Sequence, residues 1–425
     1  MMKISKRKMI DAIIVILTFL PLFVRAFSGA VYGSTDVMAA TLFFAIGLSV
    51  LMVVHDKRSF KLIDFFFLVM LLFYIFWRNN IKYGFQSYLL ITIAFFVASF
   101  YLRERLKAIQ FLILMVLTFS ILSALATWLQ LLTPNVYFSS VANLFNEGTK
   151  QTVISEYTTQ GRLSGLAYHF SPNAFYVMNG ALVLLSDLLV NRNKELRKLK
   201  YTILIFLMIT MFAIGKRGHI LFFAITILFV SLLLTPNFAK KVTKSLKYIV
   251  VAVIFTIISY FAFPDARMIF KRIFQYLGSN DLNYISSGRI FLYRTGFQLF
   301  RSNMFLGVKI GSFAVSTLLK YNGVHNDYLQ FLCETGIIGF FVFTIGNACM
   351  FRRAVKMLKA LNNCDASLIW LKKIIMYCVM IQCFVLTYSF TGLPHFDYEI
   401  NGIYILTCMV PYGVQKYINI GVDKQ

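Results

Sequence analysis

Twelve apolar runs, separated by short polar or basic stretches, order this chain: residues 9–27, 36–54, 62–77, 85–101, 108–132, 173–190, 201–216, 218–234, 248–263, 328–350, 374–392 and 400–415. A helix needs about 20 apolar residues to cross a hydrocarbon core, and most of these runs approach that length. None shows the strict alternation of a lipid-facing barrel strand, so the backbone must satisfy its own hydrogen bonds as helix. The pattern predicts an all-α integral membrane protein, a single polytopic domain over 1–425 with about twelve transmembrane helices. Two longer connections stand out, at 133–172 and 264–327. The second contains an amphipathic helix and makes a large, partly helical loop.

Composition narrows the class. The 425 residues are 59% hydrophobic and only 14% charged, against roughly 25% charged in soluble domains. That excludes a soluble enzyme and a disordered chain. The formal charge of +25 invites a nucleic-acid reading, but the positions of the charges remove it. Twenty-seven of the 42 Lys and Arg fall in segments 1–8, 55–61, 102–107, 191–200, 235–247, 351–373 and the tail from 416. By the positive-inside bias these segments face the cytoplasm, and so do both termini. Lys3, Lys6, Arg7 and Lys8 followed by an apolar run resemble a signal peptide. With further runs behind it, this segment is read as a retained first span. Five cysteines lie in apolar runs and Cys364 in a basic loop, so no disulfide framework, metal site or cofactor is expected.

The loops left outside carry the candidate chemistry. Long loops escape the positive-inside bias, so the excess of basic residues over Asp265, Asp281 and Asp327 in 264–327 points to an anionic partner. Ser286 or Ser287 would cap a helix whose stripe Ile290, Tyr293, Phe297 and Phe300 packs downward, with Arg289 and Arg294 on it. Arg289 in the first turn opposes the helix dipole, yet beside free N–H groups it makes an anion site. The competing reading is an interfacial helix with snorkelling arginines. Lys216, Arg217, Gly218 and His219 interrupt an apolar stretch too long for one span, and so form the outer turn of a hairpin. Charges held there usually face a polar cavity or a partner. Gly161-Arg162-Leu-Ser-Gly165, with Asn173, closes the first outer loop.

The most informative stretch runs from Gly323 to Gly339. Asn326 or Asp327 would cap the incoming span and leave His325 just outside it. An imidazole is the side chain best suited to accept a proton near neutral pH. Tyr328 and Gln330 could orient it or contact sugar, and Glu334 lies about two turns deeper. His395 could join the site, and Asp397 or Glu399 could pair with an arginine.

Four elements in order give a resemblance: Gly161-Arg162-Leu-Ser-Gly165 with Asn173; Gly215-Lys-Arg217-Gly218; Ser287-Gly-Arg289 with Phe305-Leu-Gly307-Val; and His325-Asn-Asp-Tyr-Leu-Gln330 with Glu334-Thr-Gly336. The chain resembles the O-antigen polymerase and O-antigen ligase superfamily of membrane glycosyltransferases over about 155–340. Members usually carry Ser-Arg in the second element, where this chain has Lys216-Arg217. The resemblance implies a GT-C-like helical enzyme in the bacterial inner membrane, with its active site on the periplasmic face. It implies a metal-independent, inverting transfer of a glycan from undecaprenyl pyrophosphate. Arg217 and Arg289 would hold the pyrophosphate, Arg162 would be a weaker third contact, and His325 would be the base. Lys216, Tyr328, Gln330, Arg294 and His395 are weaker substrate contacts. Partners would be a lipid-linked donor and acceptor, membrane lipid and a chain-length regulator, with no nucleic acid. The polymerase reading is preferred to a ligase acting on lipid A–core or protein. A flippase would be expected to show internal repeats and mid-span charges.

Overall fold

The structure, a computed structural model, describes residues 6–32, 35–76, 85–190, 196–235, 288–316, 323–362, 368–414 and 417. Eleven of the twelve apolar runs fall on helices among them. These are α1 (Lys6–Phe23), α3 (Thr35–His55), α4 (Leu62–Phe76), α5 (Phe85–Leu102), α6 (Leu106–Leu132), α9 (Phe170–Val190), α10 (Arg197–Ile214), α11 (Arg217–Leu233), α14 (Asp327–Asn362), α15 (Ile369–Tyr388) and α16 (Tyr398–Gly413). Between them lie the shorter α2 (Ser28–Tyr32), α7 (Pro134–Ser140), α8 (Glu147–Gln160), α12 (Arg289–Ser302) and α13 (Ser312–Ser316). The run at 248–263, the cap positions Ser286 and Ser287, and most of the 264–327 loop before α12 lie outside the described residues. Among the described residues five helices are long and apolar enough to cross a membrane: Val37–His55, Leu106–Leu132, Phe170–Val190, Asp327–Leu361 and Ile369–Tyr388. The chain is a multi-pass membrane protein, and its described secondary structure is helical.

Burial sorts the helices into an inner and an outer set. α9, α15 and α16 are apolar on nearly every face and almost wholly buried, as expected of helices surrounded by other helices. α3 leaves Phe43, Phe44, Leu51 and Val54 exposed, a surface suited to lipid rather than water. Without a hydrophobic drive between helices in lipid, small residues and polar cross-links hold such bundles. Both occur here. Gly180 of α9 lies against Ser120 of α6, the Tyr377 hydroxyl donates to Asn179 Oδ1 at 2.6 Å, and Trp128 Nε1 donates to Thr210 Oγ1 at 2.9 Å.

Charge is segregated to the two ends of the bundle. At one end Asp56 binds Arg7 and Arg105, Arg103 meets buried Asp64 at 2.5 Å, and Asp187 joins Lys200 to Lys373. The basic residues here come from the segments assigned to the cytoplasmic side, and Asp64 and Asp187 from the ends of the apolar runs next to them. At the other end Arg25 lies between the rings of Tyr168 and Tyr398 and pairs with Glu399 at 2.8 Å. This is the carboxylate–arginine pairing expected of Asp397 or Glu399. Most of the first outer loop is helical, in α7 and α8, and α9 begins at Phe170, three residues earlier than its apolar run.

The longest helix is broken. Gly336 in α14 has φ 65° and ψ −168°, a conformation open essentially only to glycine. A break strands backbone groups, and residues 304–309 satisfy them. Val308 and Lys309 donate N–H to the carbonyls of Cys333 and Glu334, both at 3.0 Å, and Ile337 donates to the Met304 carbonyl at 2.9 Å. The approach is so close that a Cβ on Gly307 would lie 2.5 Å from the nitrogen of Gly336. The Glu334 carboxylate completes the junction, accepting N–H from Gly311 at 2.9 Å and Phe313 at 3.1 Å.

Candidate active site

Four backbone segments bring the cationic residues together, each fixed by its own local chemistry. The Arg162 segment begins where Gly161, at φ 64°, ends α8. Asn173 anchors it from α9: its Nδ2 donates to the Leu163 carbonyl at 3.0 Å and to Thr127 Oγ1 at 2.9 Å. Gln130 Oε1 accepts from Ser164 N at 2.8 Å and Gly165 N at 3.1 Å. Gly165 packs so closely that a Cβ there would lie 2.7 Å from Asn173 Oδ1. The second segment is the α10–α11 turn, where Gly215 at φ 72° ends one helix and Lys216 precedes the next. Gly218 lets α11 approach the Tyr388 ring, 3.3 Å from where a Cβ would stand. His219 is buried below, its ring 4.7 Å from that of Tyr388.

Helix α12 supplies the third segment. Its N-cap is Gly288, at φ 81°, in place of the expected serine. Its buried stripe is Leu292, Gly296 and Phe300, so the expected stripe is rotated and Phe297 faces outward. Gly296 explains the rotation: a Cβ there would sit 3.2 Å from Val324 and 3.3 Å from Leu329, so the smallest residue marks the contact face. This contact sets Arg289 against the segment bearing His325. That fourth segment is held from α14, where Gln330 Oε1 accepts from Val324 N at 2.7 Å and Asn326 Oδ1 accepts from Leu329 N at 3.0 Å as the helix cap. His325 itself takes φ 59°, uncommon for a side chain of its size.

Electrostatics identifies the residues that converge. Arg162 Cζ lies 4.0 Å and Lys216 Nζ 4.9 Å from the centroid of the Phe170 ring, so the two cations share one aromatic platform. Burial first, and then the positive charges of Arg289 and Arg162, lower the Lys216 ammonium to about 8, against the pull of Asp397 and Glu156. His325 opens to solvent on one side. The protein around it, and then Arg289 and Lys216, lower it to about 4, so it is a neutral imidazole at physiological pH. Arg162, Lys216, Arg289 and His325 thus form one electropositive cluster.

Of the remaining sequence candidates, Arg217 follows Lys216 directly and stands at the edge of the cluster, and the others separate from it in different ways. Arg217 is exposed at the first position of α11, and Arg294 is exposed on α12. Tyr328 donates its hydroxyl to the Leu386 carbonyl at 2.8 Å, and Gln330 is committed to Val324. Both position backbone. His395 turns into the bundle, its Nδ1 2.7 Å from Asp327 Oδ2, which also accepts from Ser389 Oγ at 2.9 Å. The rings of Phe343 and Tyr404 stand edge-on to it, at 4.8 and 4.9 Å. The structure therefore groups His395 with Asp327 in the core and not with the cations. Sequence reasoning missed the Phe170 platform and the carboxylates facing Lys216. Only the adjacency of Phe170 to the Arg162 segment could have flagged the first.

No curated protein matches this chain. Residues 202–344, about a third of it, match the family model described as O-antigen ligase. That segment carries Lys216, Arg217, Arg289 and His325, and with it the junction of residues 304–309 with Gly336. Over that segment the chain is similar to the O-antigen ligase family, and the match supports an assignment to the O-antigen ligase and polymerase superfamily.

Proposed function

We propose that the chain is a GT-C-like polysaccharide polymerase of the bacterial inner membrane, working on its periplasmic face. It transfers a growing glycan from undecaprenyl pyrophosphate to the next lipid-linked repeat unit. The observation that carries the reading is the gathering of Arg162, Lys216 and Arg289 around a neutral His325. Like charges held together repel, and a diphosphate is the anion that relieves them. Arg289 and Arg217 hold the pyrophosphate of the donor, with Arg162 a weaker third contact. The acceptor hydroxyl attacks the anomeric carbon from the face opposite the leaving group. The new C–O bond forms as the bond to pyrophosphate breaks, the electron pair leaves on the phosphate oxygen, and the hydroxyl proton passes to His325. Fixed guanidinium groups stabilise the charge developing on that oxygen without a divalent ion.

The same cations tie the base to the donor. Burial first, and then these cations, hold His325 near 4, a weak base. A bound diphosphate cancels their field, and the imidazole moves toward its ordinary value of about 6.5. The base becomes competent when the leaving group is in place.

The test is reconstitution of the full chain in liposomes with a lipid-pyrophosphate-linked repeat unit and a chelator. A polymer ladder is expected, lost in His325→Ala and Arg289→Ala and kept in Arg301→Ala. A ladder that survives His325→Ala, or that needs a divalent ion, refutes the mechanism. A second reading, a ligase, is favoured by the description of the matched family. Transfer to lipid A–core or protein, with no ladder when the repeat unit is the sole acceptor, would establish it. Lipid-linked sugar crossing the bilayer without bond formation would establish a flippase instead.

A further inference from the structure

Lys216 is where this chain departs from the Ser-Arg pair usual in the resembling family, and the structure puts that departure inside the cluster. Its ammonium lies 4.9 Å from the centroid of the Phe170 ring that Arg162 also covers. The charged and titratable groups facing it come from every neighbouring segment: Arg162 and His169 before α9, His219 on α11, Arg289 on α12, His325 before α14, Asp397 before α16 and Glu156 on α8, the last paired with His169 at 2.8 Å. We propose that Lys216 contacts the diphosphate directly and takes up a proton as the diphosphate binds, so that affinity falls on the alkaline side. This rests on the diphosphate reading above and adds the residue that makes binding depend on pH.

The sign follows from the neighbours. Lys216 is held at about 8 by burial and by two arginines that stay charged at any workable pH. A bound dianion or trianion supplies attraction where there was repulsion, and returns the ammonium toward its ordinary value of about 10.4. Below about pH 8 the residue is already protonated and binding costs no proton transfer. Above it, each binding event draws in a proton and affinity declines. Across pH 7 to 9 the loss is about tenfold, since pH 9 lies about one unit above the value Lys216 has before binding. His325, near 4 before binding and moving toward about 6.5 with the diphosphate bound, adds only a small term at the pH 7 end of this window, and that term is common to the wild type and Lys216→Arg.

The experiment titrates the full chain in detergent with farnesyl diphosphate, by calorimetry at pH 7 and pH 9. Each pH is run in two buffers of different ionisation enthalpy. The wild type should bind about tenfold more weakly at pH 9 and take up nearly one proton there. Lys216→Arg, with a permanent cation, should lose both effects. Any ionisation of the ligand itself, and the contributions of Asp397 and Glu156, are common to both proteins. Lys216→Met should bind weakly at both values, which keeps the comparison decisive if the arginine variant fails to fold. Wild-type affinity that is flat from pH 7 to 9, or a decline that persists in Lys216→Arg, overturns the proposal and leaves the diphosphate reading standing. No binding at either pH overturns that reading itself.

Discussion

Gly336→Ala tests the element on which the site geometry depends. At φ 65° and ψ −168° the residue occupies a region that side chains avoid, at a cost of about 1–3 kcal/mol. The added Cβ would overlap the Phe305 carbonyl and lie 2.6 Å from Leu306 N. Neither neighbour can yield, because both belong to the backbone that threads the break. Relief requires residues 304–306 to withdraw, breaking the bonds from Ile337 N to the Met304 carbonyl and from Ile338 N to the Phe305 carbonyl. Each is worth about 1 kcal/mol net. The total of about 3–5 kcal/mol shifts the local equilibrium by roughly two to three and a half powers of ten against the native junction. Since that junction fixes α12, and therefore Arg289, relative to His325, the ladder-forming rate should fall more than about a hundredfold with a lower thermal midpoint in detergent. Gly307→Ala should do the same, and the double variant should be little worse, because both changes break one junction. Gly148→Ala, with open space around it, is the neutral control. A Gly336→Ala protein with wild-type melting and wild-type ladder would refute the claim that the break positions the site.

Further outcomes follow from the same geometry. The pH profile of kcat/KM should hold from neutrality down to about pH 5 and fall as His325 protonates near 4, since the lowered value leaves the base form dominant above it; kcat, reporting the donor complex, should inflect higher. An inflection near the ordinary imidazole value in both profiles would mean the neighbouring cations exert no field. Asn173→Leu removes three buried hydrogen bonds around the Arg162 segment and should lower stability by roughly 2–3 kcal/mol, read as a thermal shift together with weaker diphosphate binding. His395→Ala leaves the Asp327 carboxylate without its imidazole partner and should cost about 3 kcal/mol, while any residual activity keeps the wild-type pH profile. A changed profile would move His395 into the reacting site.

Much of the architecture was legible because a bilayer imposes simple demands. Apolar runs had to be helices, and eleven of them are; basic loops had to collect on one side, and the ion pairs of Arg7, Asp56 and Arg105 gather at one end of the bundle. Caps were partly legible. Asn326 caps α14 as its residue type predicts, whereas α12 starts from Gly288, a choice made by backbone conformation. The stripe of α12 was misread because periodicity counts large apolar residues, and the contact face turns on the absence of a side chain at Gly296.

The sequence by itself determined the class: its apolar periodicity specifies helices, and its charge supplies the residue types able to meet an anion. Those properties are local or additive along the chain, so they survive without coordinates. Only the tertiary structure decided which of those residues meet. It set Lys216 beside Arg162 and Arg289, held His325 neutral, and turned His395 away to Asp327. The physical reason is that fields and contacts fall off with distance in space, and residues far apart in sequence, such as Arg162 and Lys216 or Asp327 and His395, share one ring or one hydrogen bond. The +25 charge of the chain was a sum over residues; the chemistry depends on the few that the fold brings within reach of each other.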